Sequence, residues 1–152
     1  MDVHLRLAMV LEDLGRYEES LEQIKLLSEL KGWSEDDQLT IALQQGISEV
    51  NLGQKRKGIH HLQDALDTLN GQNTHTWLQA KARYTLARTL YAEAMDLHLN
   101  GSQRKAARNY KKRAELMKSA EAEILALIKL NEVEWILASL IQLGDAWRDQ
   151  AA

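Results

Sequence analysis

The sequence contains no proline, no cysteine and no phenylalanine. Without proline, no position locally forbids helix. Without cysteine, disulfides, a thiol nucleophile and a zinc–thiolate centre are excluded. β-branched residues are sparse and never alternate over a strand's length. Long apolar runs are also missing: Ile124-Leu-Ala-Leu-Ile128, closed by Lys129, is far too short to span a bilayer. The start, Met1-Asp-Val-His-Leu-Arg6, lacks the basic-then-apolar pattern of a signal peptide. What is present is Ala, Leu, Glu, Gln, Lys and Arg, all good helix formers, in 152 residues, enough for one domain with a core. An all-α, soluble chain is expected. The compartment stays open, with the cytoplasm favoured.

The net charge of -3 is unevenly spread. Residues 12–37 hold Glu12, Asp13, Glu18, Glu19, Glu22, Glu29, Glu35, Asp36 and Asp37 against Arg16, Lys25 and Lys31. Residues 104–118 hold Arg104, Lys105, Arg108, Lys111, Lys112, Arg113 and Lys118 against Glu115 alone. Such asymmetry can steer a partner or a second copy of the chain.

Apolar residues recur with helical spacing before Gly15 (Leu5, Leu7, Ala8, Leu11, Leu14) and after it (Tyr17, Leu21, Ile24, Leu27, Leu30). Gly15 suits the left-handed residue that ends a helix, and Ser20 lets the next helix approach closely. This predicts a helical hairpin. Leu52-Gly53-Gln54, followed by small Gly58 and then Leu62, repeats the arrangement, and Asn100-Gly101-Ser102 makes a third turn with Ser102 as N-cap. Gly46, Gly58 and Gly144 fall inside helices, where a missing side chain permits close packing. No glycine cluster remains for a phosphate loop.

Repetition of a helix pair marks a solenoid, and these residues resemble the tetratricopeptide repeat, whose pattern is Trp-x2-Leu-Gly-x2-Tyr and then Ala-x3-Phe. Leu140-Ile-Gln-Leu143-Gly144-Asp-Ala-Trp147 is similar to the first half, and His4 to Leu11, Ala42 to Glu49 and Arg83 to Leu90 more loosely so. Ser20-x3-Ile24, Gly58-x3-Leu62 and Ala106-x3-Tyr110 resemble the second half. The resemblance implies a right-handed superhelix of about seven helices in one domain. The hairpins would cover about 2–30, 35–70 and 74–130, with a final helix at about 132–150. The small residues Ala8, Gly46, Ala87 and Gly144 lie 38, 41 and 57 positions apart, against a period of 34. The third hairpin is therefore stretched, with helices expected from Thr74 to Leu99 and from Ser102 to Leu130. A capping helix needs a polar outer face. Trp135, Ile136, Leu140, Leu143 and Trp147 leave little of one, so the chain reads as a piece of a longer protein.

His60 and Asp64 share a helix face beside His61, but no third ligand accompanies them, so no metal is expected. No serine belongs to a triad and no acid–base pair is assembled. The chain reads as non-enzymatic, without a cofactor. Arg104, Arg108, Lys111 and Lys112 form a basic patch on a long helix. The acidic balance and the single interleaved aromatic, Tyr110, disfavour nucleic acid. An acidic protein segment fits better, including that of another copy.

In the resemblance, first helices line a concave face. That face would carry Lys81, Tyr84, Arg88 and Tyr91, with Leu43, Ile47 and Val50 from the preceding hairpin. Tyr and Arg are typical interface anchors. Members that clamp a chaperone's C-terminal carboxylate do so with Lys and Asn. Here Leu5, Met9, Gln44 and Thr85 replace most of that clamp, while Lys81 fits it. The expected function is a protein–protein interaction scaffold or adaptor that binds a peptide or helix. The alternatives are a self-associating assembly module and a ligand-sensing regulatory domain.

Overall fold

Helices α1 (Val3–Asp13) and α2 (Tyr17–Glu29) are joined by a turn that only a left-handed residue can close. Gly15 has φ +74°. Its N–H bonds the Glu12 carbonyl at 2.9 Å, and the Arg16 N–H bonds the Leu11 carbonyl at 2.8 Å. This paired closure satisfies carbonyls that the helix end would leave open. The same closure joins α3 (Glu35–Asn51) to α4 (Lys55–Leu69). There Gly53 has φ +95° and bonds Val50, and Gln54 bonds Glu49. Leu14-Gly15-Arg16 and Leu52-Gly53-Gln54 are one local structure used twice.

The remaining helices are α5 (Thr76–Met95), α6 (Gln103–Lys129) and α7 (Val133–Ala151). The computed structural model describes residues 2–151. Among the described residues there are seven α-helices and no strand, as the composition predicts. Starts are capped where the sequence provides an acceptor. Asp2 accepts from the His4 N–H at 2.7 Å, Ser34 from the Asp37 N–H at 3.1 Å, and Ser102 from the Lys105 N–H at 3.3 Å. At 27 residues, α6 is about 40 Å long, as the stretched third hairpin requires. Its partner is shorter than expected: α5 stops at Met95, not Leu99. The chain leaves the helix there, and the freed His98 carbonyl accepts from Asn109 Nδ2 at 2.7 Å.

The chain divides into two compact units, Met1–Ala82 and Arg83–Ala152. The division falls inside α5, so no linker composition announces it. In the first unit α1 packs on α2, α2 on α3, and α3 on α4. Leu5, Ala8, Ile24, Leu27 and Ile41 form a core, with Met9 and Trp33 packed against it. Ser20 performs the role its small size suggests: its hydroxyl donates to the Ala8 carbonyl at 2.7 Å and meets Ser48 Oγ at 2.9 Å, tying α1, α2 and α3 together. In the second unit the buried apolar residues are Leu86, Ala87, Leu90, Tyr91 and Ala94 of α5, Ala120, Ile124 and Leu127 of α6, and Ala146 of α7.

Candidate protein-binding surfaces

The predicted concave stripe is mostly interior. Leu43, Ile47 and Val50 of α3 are buried, as are Lys81 and Tyr91 of α5. They are core residues and offer no free groove, which corrects their assignment as partner contacts. The physical reason is that a stripe at helical spacing looks the same whether it faces solvent or another helix.

Lys81 is an internal ion-pair centre. Its ammonium contacts the buried Glu12 carboxylate and lies 2.7 Å from Asp13 Oδ1. It also sits over the Trp77 ring, 5.4 Å from the centroid. Burial pulls the Lys81 pKa down. The hydrogen bonds and charges of Asp13 and Glu12 outweigh that effect and hold it above the ordinary lysine value. The one clamp-like lysine is therefore engaged within the chain.

Tyr84 and Arg88 are half-buried. The Tyr84 ring packs against Trp135 of α7, with centroids 5.3 Å apart, and the Arg88 guanidinium sits 5.8 Å above the Tyr84 ring. Two residues of the predicted stripe, Lys81 and Tyr84, thus hold α5 to neighbouring helices. Tyr91 is the most enclosed residue of the α5 stripe, 1% exposed, and its hydroxyl has no hydrogen-bond partner among the described residues. Burial, and secondarily the Glu121 charge, push its pKa up to about 12. A buried hydroxyl without a partner carries an uncompensated desolvation cost. Tyr91→Phe is expected to stabilise the protein by about 1 kcal/mol, read as a higher urea midpoint with an unchanged slope. A lower midpoint would mean that the hydroxyl is satisfied.

Other polar clusters close on themselves. His61 Nδ1 lies 2.6 Å from the buried carboxylate of Glu49, which also receives Lys57 at 3.1 Å and Gln45 at 3.0 Å. His60 and Asp64 meet at 3.3 Å on an exposed turn of α4. No group of three metal-ligating side chains occurs among the described residues. An open groove of about 870 Å³ between α3 and α4 is lined by Leu39, Ala42 and Ala65, with Asp36, His61 and Asp64 around them. His75 closes on Asp36 at 2.5 Å.

The basic patch stands in solvent: Arg104, Arg108, Lys111 and Lys112 are all exposed on α6. Two further surfaces were not legible as sites. Val133, Leu137, Leu140, Ile141 and Trp147 of α7 are 49–67% exposed, with Leu125 and Ile128 of α6 also uncovered. On α1, Val3, Leu7 and Val10, together with Leu14 at its C-terminal cap, are 42–76% exposed. Leu7 and Leu14 belong to the apolar run whose helical spacing predicts the first helix of the hairpin. The face actually buried is Leu5, Ala8, Leu11 and Glu12. The signal was the second set at 3, 7, 10 and 14, a separate stripe on an helix apolar nearly all round. Gly144 also departs from expectation. A Cβ there would meet nothing within 4 Å, so this glycine is not a close-packing one within the described residues.

Among the described residues no helix is long and apolar enough to cross a membrane. No protein-family model matches the chain, and no curated protein or solved structure is found similar to it.

Proposed function

We propose that this chain is a non-catalytic protein–protein interaction module, a scaffold or adaptor built as a tetratricopeptide-like helical solenoid. Its partner-binding surface is the uncovered apolar face of α7, not the stripe on α5. The observation that carries this reading is the run Val133, Leu137, Leu140, Ile141 and Trp147, all exposed on one helix. Contiguous apolar patches of this kind mark interaction sites on soluble proteins. A large aromatic with leucines at helical spacing suits a partner helix laid along the face. The successive packing of α1 on α2, α2 on α3 and α3 on α4 supports the repeat architecture.

The test is affinity capture from the source lysate with wild type and with Leu137→Glu/Ile141→Glu. Both substitutions are on solvated positions, and circular dichroism checks the fold. A protein held by wild type and lost by at least tenfold in the variant is the expected result. Equal capture by both, or loss only when Arg104 and Arg108 are replaced, would move the site away from α7.

A further inference from the structure

On α7, Val133, Leu137, Leu140, Gly144 and Trp147 recur in alternating steps of four and three, and Ile141 follows Leu137 by one turn. All six are exposed. That spacing lays one apolar face along the helix, the pattern by which two helices interlock side chains. Gly144 has open space where a side chain would be. Glycine is disfavoured in a helix interior. Between Leu140 and Trp147 it leaves a notch that an apolar side chain of a facing helix can enter.

The helix itself carries the charge that specifies the facing element. Its ionisable side chains are Glu134, Asp145, Arg148 and Asp149, all exposed, three acidic against one basic. At about 3.6 residues per turn, Glu134, Asp145 and Asp149 fall along one edge of the apolar face, beside Ile141. Asp145 and Asp149 are a like-charged pair four apart, which destabilises a helix standing alone. Arg148 meets Asp145 at 3.1 Å, but with side chains 77% and 52% exposed that pair is weak. A cation supplied from outside relieves the repulsion. The acidic edge also sorts the occupants. Helices that lie on lipid carry Lys and Arg beside the apolar face, the opposite of this one. Two copies of α7 laid antiparallel and face to face would bring acidic edge against acidic edge.

We infer that the α7 face receives a basic amphipathic helix of a partner protein. Its apolar side chains lie along Leu137, Leu140 and the Gly144 notch, and its lysines or arginines lie along the edge formed by Glu134, Asp145 and Asp149. This rests on the reading of α7 as an interaction face and adds the chemistry of what it binds. The apolar stripe supplies affinity. The acidic edge selects the sign of the partner's flank and rejects an acidic helix of the same apolar pattern.

Fluorescence anisotropy tests this with two labelled synthetic 19-residue peptides, the length of α7. Both carry leucine in alternating steps of four and three; one has lysine and the other glutamate at the flanking positions. Wild type is expected to bind the lysine peptide at least about tenfold more tightly than the glutamate peptide at about 0.1 M salt. Asp145→Asn/Asp149→Asn should remove that preference, and Leu137→Gln/Ile141→Gln should remove binding. Gly144→Leu should weaken binding about tenfold by filling the notch. It should also raise the thermal midpoint, since leucine is the better helix former, so unfolding does not explain the loss. Equal binding of both peptides, or lysine-peptide binding that survives Leu137→Gln/Ile141→Gln, would overturn the inference. So would self-association of wild type that those substitutions abolish, which makes a second copy the occupant, or α7-dependent binding to phosphatidylserine vesicles. Equal binding of both peptides that still needs Leu137 and Ile141 leaves the interaction module standing. Binding of neither peptide overturns the inference, and joined with equal lysate capture by wild type and Leu137→Glu/Ile141→Glu it overturns both readings.

Discussion

Lys81→Met is expected to lower the unfolding free energy of the protein by about 3–5 kcal/mol, the cost of leaving a buried charge without its partner. That is a large fraction of the roughly 5–15 kcal/mol that holds a typical domain folded. The Lys81 and Glu12 side chains are 6% and 7% exposed. Methionine fills the stem volume but donates nothing. Glu12 would then retain Asn51 Nδ2, at 2.8 Å, as its neutral partner. Asp13 is 60% exposed on its side of the cluster, so water can replace the lysine there. The loss therefore belongs to the Glu12 arm, and Glu12→Gln combined with Lys81→Met should recover most of it. Urea unfolding of the two single variants and the double variant measures the coupling; strict additivity would mean that the pair contributes no mutual stabilisation. The pH dependence has a definite sign. The native Lys81 pKa lies above the ordinary 10.5, so its contribution is complete below that value and is lost as pH rises through the native pKa. Wild type should lose stability in that alkaline range, and Lys81→Met should lack this component.

Gly58→Ala should cost about 1–3 kcal/mol, against the usual gain of about 1 kcal/mol when alanine replaces a helical glycine. The sign is decided by what the new methyl would meet. A Cβ at Gly58 would stand 2.5 Å from Val50 Cγ2, 2.8 Å from the Val50 nitrogen and 2.8 Å from the Gly46 carbonyl oxygen. Two of these are backbone atoms of α3, so relief requires α3 and α4 to separate. At Gly46 a Cβ would meet Leu62 at 2.7 Å, so the close approach is built from both helices. Thermal unfolding followed by circular dichroism reads the change. A variant as stable as wild type would show that the helices can part without loss.

The close approach of α3 and α4 was legible because it is written locally, as glycines inside helical runs that need no other reason to be there. The turns at Gly15 and Gly53 were legible for the same reason, each being a matter of four or five consecutive residues. The burial of Lys81 was not, because its partners Glu12 and Asp13 are nearly seventy positions away and carry ordinary surface-type side chains. Tyr84, Arg88 and Tyr91 misled in a different way. Their four-and-three spacing establishes that they share a face, and nothing in α5 itself reveals that Trp135 packs against it. The exposed α1 stripe was hidden among apolar neighbours: in an eleven-residue helix with so many of them, the sequence cannot say which seam the rest of the fold covers.

The position of the unit boundary has a consequence for taking the molecule apart. It runs between Ala82 and Arg83, in the middle of α5. Lys81 and Tyr84, less than one helical turn apart, therefore serve different units. A cut at the boundary would leave Thr76–Ala82 on one fragment and Arg83–Met95 on the other. Isolated helices shorter than about 12–15 residues are marginal in water, so the first stub would fray and release the ammonium that neutralises Glu12. Fragments meant to fold alone should share α5 whole, ending after Met95 in one case and beginning before Thr76 in the other. The same helix would then be present in both, and neither piece could be counted as an independent half.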